Sequence, residues 1–228
     1  MATTRRELLD NVRDAIASSR TLTLKTVTYR PRERAHIDTI LGAFLDAAGM
    51  HPLKNKLSYC IHELAGNAKK ANTKRLFFEE RNLDIRKDAD YAAGMAEFKQ
   101  EMVGRVEHFD EKLRSMNLMV KFQFRKIRNG VSITVRNSAE LTSAEQKRIA
   151  AKQAIAEQYT CLADAYSATE DRSEGAGLGI VMMLFMLKNL GVGTDAFRIE
   201  ASGGETIATL TLIAPSGVEG GAAGTATA

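Results

Sequence analysis

Apolar residues recur along this chain with two different periods, and the switches between them mark its elements. Leu8, Leu9, Val12 and Ile16 form one helical stripe over 4–19. Ile37, Ile40, Leu41, Phe44 and Leu45 form a second over 33–48, which Gly49 stops. Leu57, Cys60, Ile61, Leu64, Ala68 and Ala71 keep the 3.6-residue spacing over 53–71, and Met95, Phe98, Met102, Val106, Phe109 and Leu113 keep it over 88–113. Between these stripes lie shorter β-type runs. Residues 21–29 (TLTLKTVTY) are rich in β-branched side chains and run into Arg30-Pro31, which predicts an edge strand. Residues 74–82 (KRLFFEERN) are short and aromatic-rich and predict another strand. Alternating runs at 118–127 and 131–137 flank Arg128-Asn129-Gly130, and an Asn-Gly pair in that setting signals a hairpin. A polar, alanine-rich helix is predicted over 141–158, starting at Thr142-Ser143 with Glu145 nearby. Residues 166–174 are polar and turn-like, and 178–190 predict the most apolar helix. Strands at 196–201 and 206–213 sit either side of Ser202-Gly203-Gly204-Glu205.

Helices set between hairpins, without regular βαβ alternation, predict an α+β fold: a two-layer α/β sandwich with helices on one face of the sheet. With 228 residues the chain suits one domain, over 21–215, preceded by the amphipathic helix of 1–20. A Gly-, Ala- and Thr-rich tail over 216–228 is expected to be disordered.

Composition narrows the setting. Hydrophobic content of 44% and charged content of 26% are ordinary for a globular chain. The two cysteines, Cys60 and Cys161, form no C-x-x-C pair, which disfavours a zinc ribbon or redox dithiol and suits a reduced compartment. The first 20 residues carry Arg5, Arg6, Glu7, Asp10, Arg13 and Asp14 and no signal-like apolar stretch. The longest uncharged, mostly apolar run, Gly175 to Leu187, has 13 residues, where a membrane span needs roughly 20. The expectation is therefore a cytoplasmic protein with no membrane partner. Net charge is only +4, but between Met50 and Leu76 six Lys or Arg side chains face one acid, Glu63. Such a cluster suits an anionic ligand such as a polyphosphate, or is a solvated helix face. With five Tyr, nine Phe and no Trp, nothing offers a stacking platform for single strands, and nucleic acid is not the expected partner.

Two segments carry chemistry. In His62-Glu63-Leu64-Ala65-Gly66-Asn67-Ala68-Lys69-Lys70-Ala71, residues Glu63, Asn67 and Lys70 fall on one helical face. A carboxylate, an amide oxygen and an ammonium can there polarise a water or take a proton, ligate Mg²⁺ and balance phosphate charge; by spacing alone they are equally a solvated polar face. The second segment, Glu174-Gly175-Ala176-Gly177-Leu178-Gly179-Ile180, leads into the apolar helix. Its alternate glycines let backbone amides approach a phosphate at a helix N-terminus, or simply permit tight helix packing. A dinucleotide fingerprint does not fit, because Ile180 stands where a third glycine is needed and the preceding residues are polar. A Walker A loop does not fit either, since no Gly-Lys-Ser or Gly-Lys-Thr follows.

Taken together, an E-x-x-x-N-A-x-K-A helix followed about 110 residues later by G-x-G-L-G-I resembles the GHKL superfamily, the ATP-binding domains of bacterial histidine kinases, anti-sigma-factor serine kinases and gyrase B subunits. The resemblance covers roughly Leu22 to Pro215 and implies the histidine kinase-like ATPase (Bergerat) fold, with a mixed sheet. It implies that Asn67 ligates Mg²⁺, that Glu63 orients water or acceptor, and that Lys70 lies near the phosphates. Gly175, Gly177, Leu178 and Gly179 would hold the triphosphate of ATP under a lid spanning 138–174. The family's first glycine box, D-x-G-x-G, is altered: Asn137 stands at the Asp position and Arg136-Asn137-Ser138-Ala139-Glu140 lacks the glycines. An Asn carbonyl still accepts a hydrogen bond from adenine, but as a neutral group. Residues 85–117 look like a helical insertion. His62 sits in a His-Glu-Leu triplet like that of sensor-kinase phosphoacceptors, but Ala-Gly-Asn-Ala follows, which assigns it to the nucleotide helix. His36, His51 and His108 lack partners at metal spacing.

The implied function is a signalling ATPase or kinase binding Mg²⁺-ATP and passing a phosphoryl group to a histidine or serine of a protein partner: a response regulator, a phosphotransfer protein or an anti-sigma-type target. The altered first box supports an alternative, a degenerate domain that regulates by protein contact. The stripe of 4–19 is compatible with a homodimer.

Overall fold

The computed structural model describes residues 5–161, 164 and 178–214. Helix α1 (Arg5–Ala17) leads to strand β1 (Leu22–Thr26), helix α2 (Pro31–Ala47) and, after a 3-10 turn at His51–Leu53, helix α3 (Lys54–Glu80). Helices α4 (Asp88–Gly104) and α5 (Val106–Ser115) precede the hairpin of β2 (Val120–Ile127) and β3 (Gly130–Asn137). Helix α6 (Ser143–Gln158), helix α7 (Leu178–Asn189), β4 (Phe197–Ser202) and β5 (Glu205–Ile213) complete the described chain.

The strands form one sheet in the order β1-β2-β3-β5-β4. Every neighbouring pair is antiparallel, so the mixed sheet implied by the resemblance is corrected to an antiparallel one. Alternation decides which face is buried. Val120, Phe122 and Phe124 of β2, Val131, Ile133 and Val135 of β3, and Leu210 and Leu212 of β5 pack with Ile37, Leu41 and Phe44 of α2, Leu57, Ile61 and Leu64 of α3, and Val181 and Phe185 of α7. The opposite face is polar: Lys121 and Arg136 both bind Glu205, at 2.7 and 3.0 Å. The expected α+β arrangement with helices on one face therefore holds. The α1 stripe is used inside the chain, with Leu8, Val12 and Ala15 buried in the main core.

The two hairpins turn by different means. Gly203 and Gly204 link β4 to β5 at φ +59 and +78, the left-handed pair that a tight two-residue turn requires. At the other hairpin neither Asn129 nor Gly130 has positive φ; Gly130 is already paired with Ile127. Its hydrogen serves a different need, since a Cβ there would lie 1.8 Å from the Leu212 carbonyl oxygen of β5. The Asn-Gly signal thus marks a real hairpin in which the glycine admits the neighbouring strand.

The strand expected over 74–82 is corrected to helix. Helix α3 runs on to Glu80, 27 residues in all, because its last two turns are used on every side. Asn72 donates to the Met119 carbonyl at 3.1 Å, and Leu76, Phe77 and Phe78 form a second core with Phe98, Phe109 and Leu113. That core belongs to α4 and α5, which occupy the segment 85–117. The single helix expected over 88–113 breaks at Gly104-Arg105, which turns Phe98 and Phe109 onto the same aromatic cluster. Gly94 belongs to the same fit: a Cβ there would sit 2.5 Å from the Phe78 ring.

Candidate functional site

Helix α3 carries the first group of candidate residues because its apolar row faces the sheet. Leu57, Cys60, Ile61, Leu64 and Ala68 are buried, which turns Asn67 outward and leaves Glu63 and Lys70 half-buried at the margin. Asn67 Nδ2 donates to Glu63 Oε1 at 3.0 Å. A carboxylate only accepts, so this bond fixes the amide and turns Asn67 Oδ1 away from Glu63. Burial pushes the thiol of Cys60, on the core side of α3, up to about 12, so it is an inert apolar group there.

The second group comes to the first through α7. A Cβ on Gly179 would lie 1.8 Å from Glu63 Oε1, so the first turn of α7 lies directly against the Glu63 carboxylate. Glycine at 179 is what allows that approach. The structure thus brings together Glu63, Asn67, Lys70 and Gly179. Gly175 and Gly177 lie outside the described residues, as does most of 162–177; Leu178 opens α7.

Asn137, 4% exposed, ends β3 and faces α3. Its Nδ2 donates to Asn72 Oδ1 and to the Ala139 carbonyl, both at 3.2 Å. Because Asn72 Nδ2 must point at the Met119 carbonyl, its Oδ1 can only accept, and this fixes the Asn137 carbonyl on the far side from both partners. Thr206, opposite Asn137 in the β3–β5 register, also donates to the Ala139 carbonyl.

Three contiguous spaces meet at Asn67, which lines all of them. The first, of about 100 Å³, is mostly apolar, with Val135, Ile180, Ile199 and Ala208 around Asn137 and Thr206. The second, of about 180 Å³, is lined by four cations, Lys70, Lys74, Arg148 and Lys152, against Glu63 and Glu145, with Gly179 at its side. The third, of about 400 Å³, opens between α3 and the α4–α5 elbow. Helix α6 roofs the first two with Glu145 and Ile149, together with Leu141 just ahead of it. It starts as a reciprocal cap, Thr142 Oγ1 accepting from the Glu145 amide and Glu145 Oε2 accepting from the Thr142 amide at 2.9 Å. The same carboxylate takes Lys74 at 2.7 Å and Arg75 at 2.6 Å. Burial opposes its ionisation, but the Arg75 hydrogen bond and the charges of Lys74 and Arg75 outweigh it and hold Glu145 at about 2.

Sequence reasoning missed Asn72, Glu145 and Thr206. A signal for Asn72 was present: it continues the row Leu64, Ala68 as a lone amide on an apolar face. Glu145 was legible only as part of the α6 cap, since its pairing with Lys74 and Arg75 depends on where α6 lies, and Thr206 had no signal because its role depends on strand register. Members of the basic cluster are paired inside the chain, Lys69 to Asp110 at 2.7 Å and Lys74 and Arg75 to Glu145. His62 belongs to a separate cluster: Tyr29 hydrogen-bonds its Nδ1, Asp38 accepts from Nε2 at 3.0 Å, and Ser58 donates to Asp38. Burial raises the Tyr29 hydroxyl well above its ordinary range, so it is the donor.

With that geometry in hand, comparison with other proteins adds one relative. An uncharacterized protein of Treponema pallidum (strain Nichols) is 35% identical to this chain over 210 residues, 92% of this chain and 40% of the relative's length. No family model and no solved structure matches. No helix among the described residues is long and apolar enough to cross a membrane.

Proposed function

We propose that the chain is an ATP-binding module of the GHKL type that transfers a phosphoryl group to a histidine or serine of a partner protein. The observation that carries this reading is the junction at Asn67, where an apolar slot ending on an amide carbonyl meets a cationic chamber bounded by Gly179. A purine fits the chemistry of the first and a triphosphate that of the second. Asn137 would accept from the purine amino group, while Lys70, Arg148 and Lys152 offset phosphate charge. The donor set also fits Mg²⁺. Among the described residues no group of three or more His, Cys, Asp or Glu could hold a metal unaided. Asn67 Oδ1 beside Glu63 supplies one hard neutral oxygen, and an ion bound there would complete its shell with phosphate oxygens and water. Bound Mg²⁺ would neutralise charge on the transferring phosphoryl group. Glu63, fixed by Asn67, would orient the acceptor and take its proton.

The test is a calorimetric titration with Mg²⁺-ATP. Wild-type chain should bind, and Asn67→Ala should lose Mg²⁺-dependent binding while its thermal unfolding stays that of a folded protein. Equal affinity in the two would reject the site.

A second reading, a degenerate domain acting by protein contact, is favoured by the neutral Asn137, whose amide is already committed to Asn72 and Ala139. Turnover of radiolabelled ATP separates the two: a binding-only module holds nucleotide and releases no phosphate.

A further inference from the structure

Strand β4 is one edge of the sheet, and among the described residues it pairs only with β5. An edge strand exposes a row of unpaired N–H and C=O groups, which proteins guard with lysine, proline, bulges or a covering element. The other edge, β1, carries an exposed Lys25 and lies against α1. Strand β4, Phe197–Ser202, contains no lysine and no proline, and its register with β5 runs unbroken along its length.

Its side chains carry a charge pattern that the chain itself does not use. Phe197 and Ile199 pack with the main core, so Arg198 and Glu200 stand on the open polar face, both exposed. Their neighbours across β5 are Thr209 and Ile207, neither charged. Among the described residues Arg198 and Glu200 form no ion pair, whereas Lys121 and Arg136 on the same face both bind Glu205. Opposite charges two positions apart make an edge strand self-complementary. If two copies meet antiparallel across a two-fold axis at residue 199, Arg198 of each lies opposite the partner's Glu200. Moving the axis by one residue sets Arg198, or Glu200, opposite its own copy, where like charges repel. The favoured register also sets Ser202 opposite the partner's Ala196, so the Gly203-Gly204 turn of one copy runs past the start of β4 in the other. A groove of about 1000 Å³ opens there, lined by Gly193, Asp195 and Ala196 and by Ile213, 67% exposed. A turn whose two central residues have no side chains fits such a groove.

We propose that β4 is the interface with a second copy of this chain: the two join edge to edge, antiparallel about Ile199, and their five-stranded sheets become one. The two-fold axis stands normal to the sheet, so the helical layers of both copies lie on the same side. Main-chain hydrogen bonds between the two edges supply affinity, and the two Arg198–Glu200 pairs fix the register.

The experiment is analytical ultracentrifugation of the full chain over roughly 2–200 µM at low salt, where exposed charge pairs are least screened. Wild type should pass from monomer to dimer across this range. Arg198→Glu alone and Glu200→Arg alone should each weaken dimerisation at least about tenfold, because like charges then face one another. The double variant Arg198→Glu with Glu200→Arg should recover wild-type affinity within about threefold, since the pairs re-form with their signs exchanged. An equimolar mixture of the two single variants should form a mixed dimer, each copy supplying the charge that the other lacks. Circular dichroism of the single variants as monomers should match the wild-type spectrum, which separates lost association from lost folding. A wild-type chain that stays monomeric throughout, or a dimer indifferent to both single reversals, would overturn the assignment. So would reversals that dissociate the dimer with no recovery in the double variant or the mixture, because the charges would then not lie opposite one another.

Discussion

Asn137 shows how one buried amide is held by its neighbours. A carboxylate there would face Asn72 Oδ1 and the Ala139 carbonyl, two acceptors where an NH₂ group now donates. Turning Asn72 to compensate would break its bond to the Met119 carbonyl. Asn137→Asp is therefore expected to destabilise the fold by about 1–3 kcal/mol, the cost of buried acceptors left facing one another. Urea denaturation of the single variant checks this; unchanged stability would mean that the amide pair is not held as described. Glu145 gives a second test at this scale. Its folded value of about 2 lies below its ordinary 4.5. Its ion pairs therefore contribute in full above about pH 4.5, and the contribution, on the order of 3 kcal/mol, is lost as pH falls towards 2. Denaturation followed from about pH 6 to about pH 3 should show wild type losing stability more steeply than Glu145→Gln, which is weaker at neutral pH and flatter below it. Parallel curves would contradict the pairing.

At the level of elements, periodicity located most helices and strands and failed where packing came from an unexpected side. The run KRLFFEERN is short, aromatic and bounded by polar residues, which by local criteria reads as a strand. Its Phe77 and Phe78 are instead the landing site for α4 and α5, and Lys74 and Arg75 are claimed by Glu145. No local pattern reveals partners at such separations. The same dependence explains the break at Gly104-Arg105, since a straight helix could not bring both Phe98 and Phe109 to one cluster. Phe77→Ala is expected to cost about 3–5 kcal/mol and to act first on the α4–α5 pair, whose apolar contacts are largely this second core. Native-state hydrogen exchange should then show lost protection in 88–115 before 120–137. Uniform loss across both would mean that the two cores unfold as one unit.

Over the whole molecule, the sandwich with helices on one face was legible because α1, α2 and α3 each show one apolar stripe and the hairpin strands alternate. Strand direction was not, because the pairing of β3 with β5 across α6 and α7 leaves no mark in either segment. The site was half legible. Glu63, Asn67 and Lys70 announce themselves by helical spacing and Gly179 by its glycine neighbours, but their meeting depends on α7 crossing α3 at a residue without a side chain. The network of Asn72, Asn137 and Thr206 depends on strand register, which sequence alone does not specify. That convergence is the central claim, that one nucleotide spans α3, the end of β3 and the start of α7. Its most direct measurement is amide hydrogen exchange on the full chain with and without Mg²⁺-ATP. The expected result is added protection in 63–71, 135–141 and 178–182 together; binding without protection in these three stretches, or with protection centred elsewhere, would contradict it.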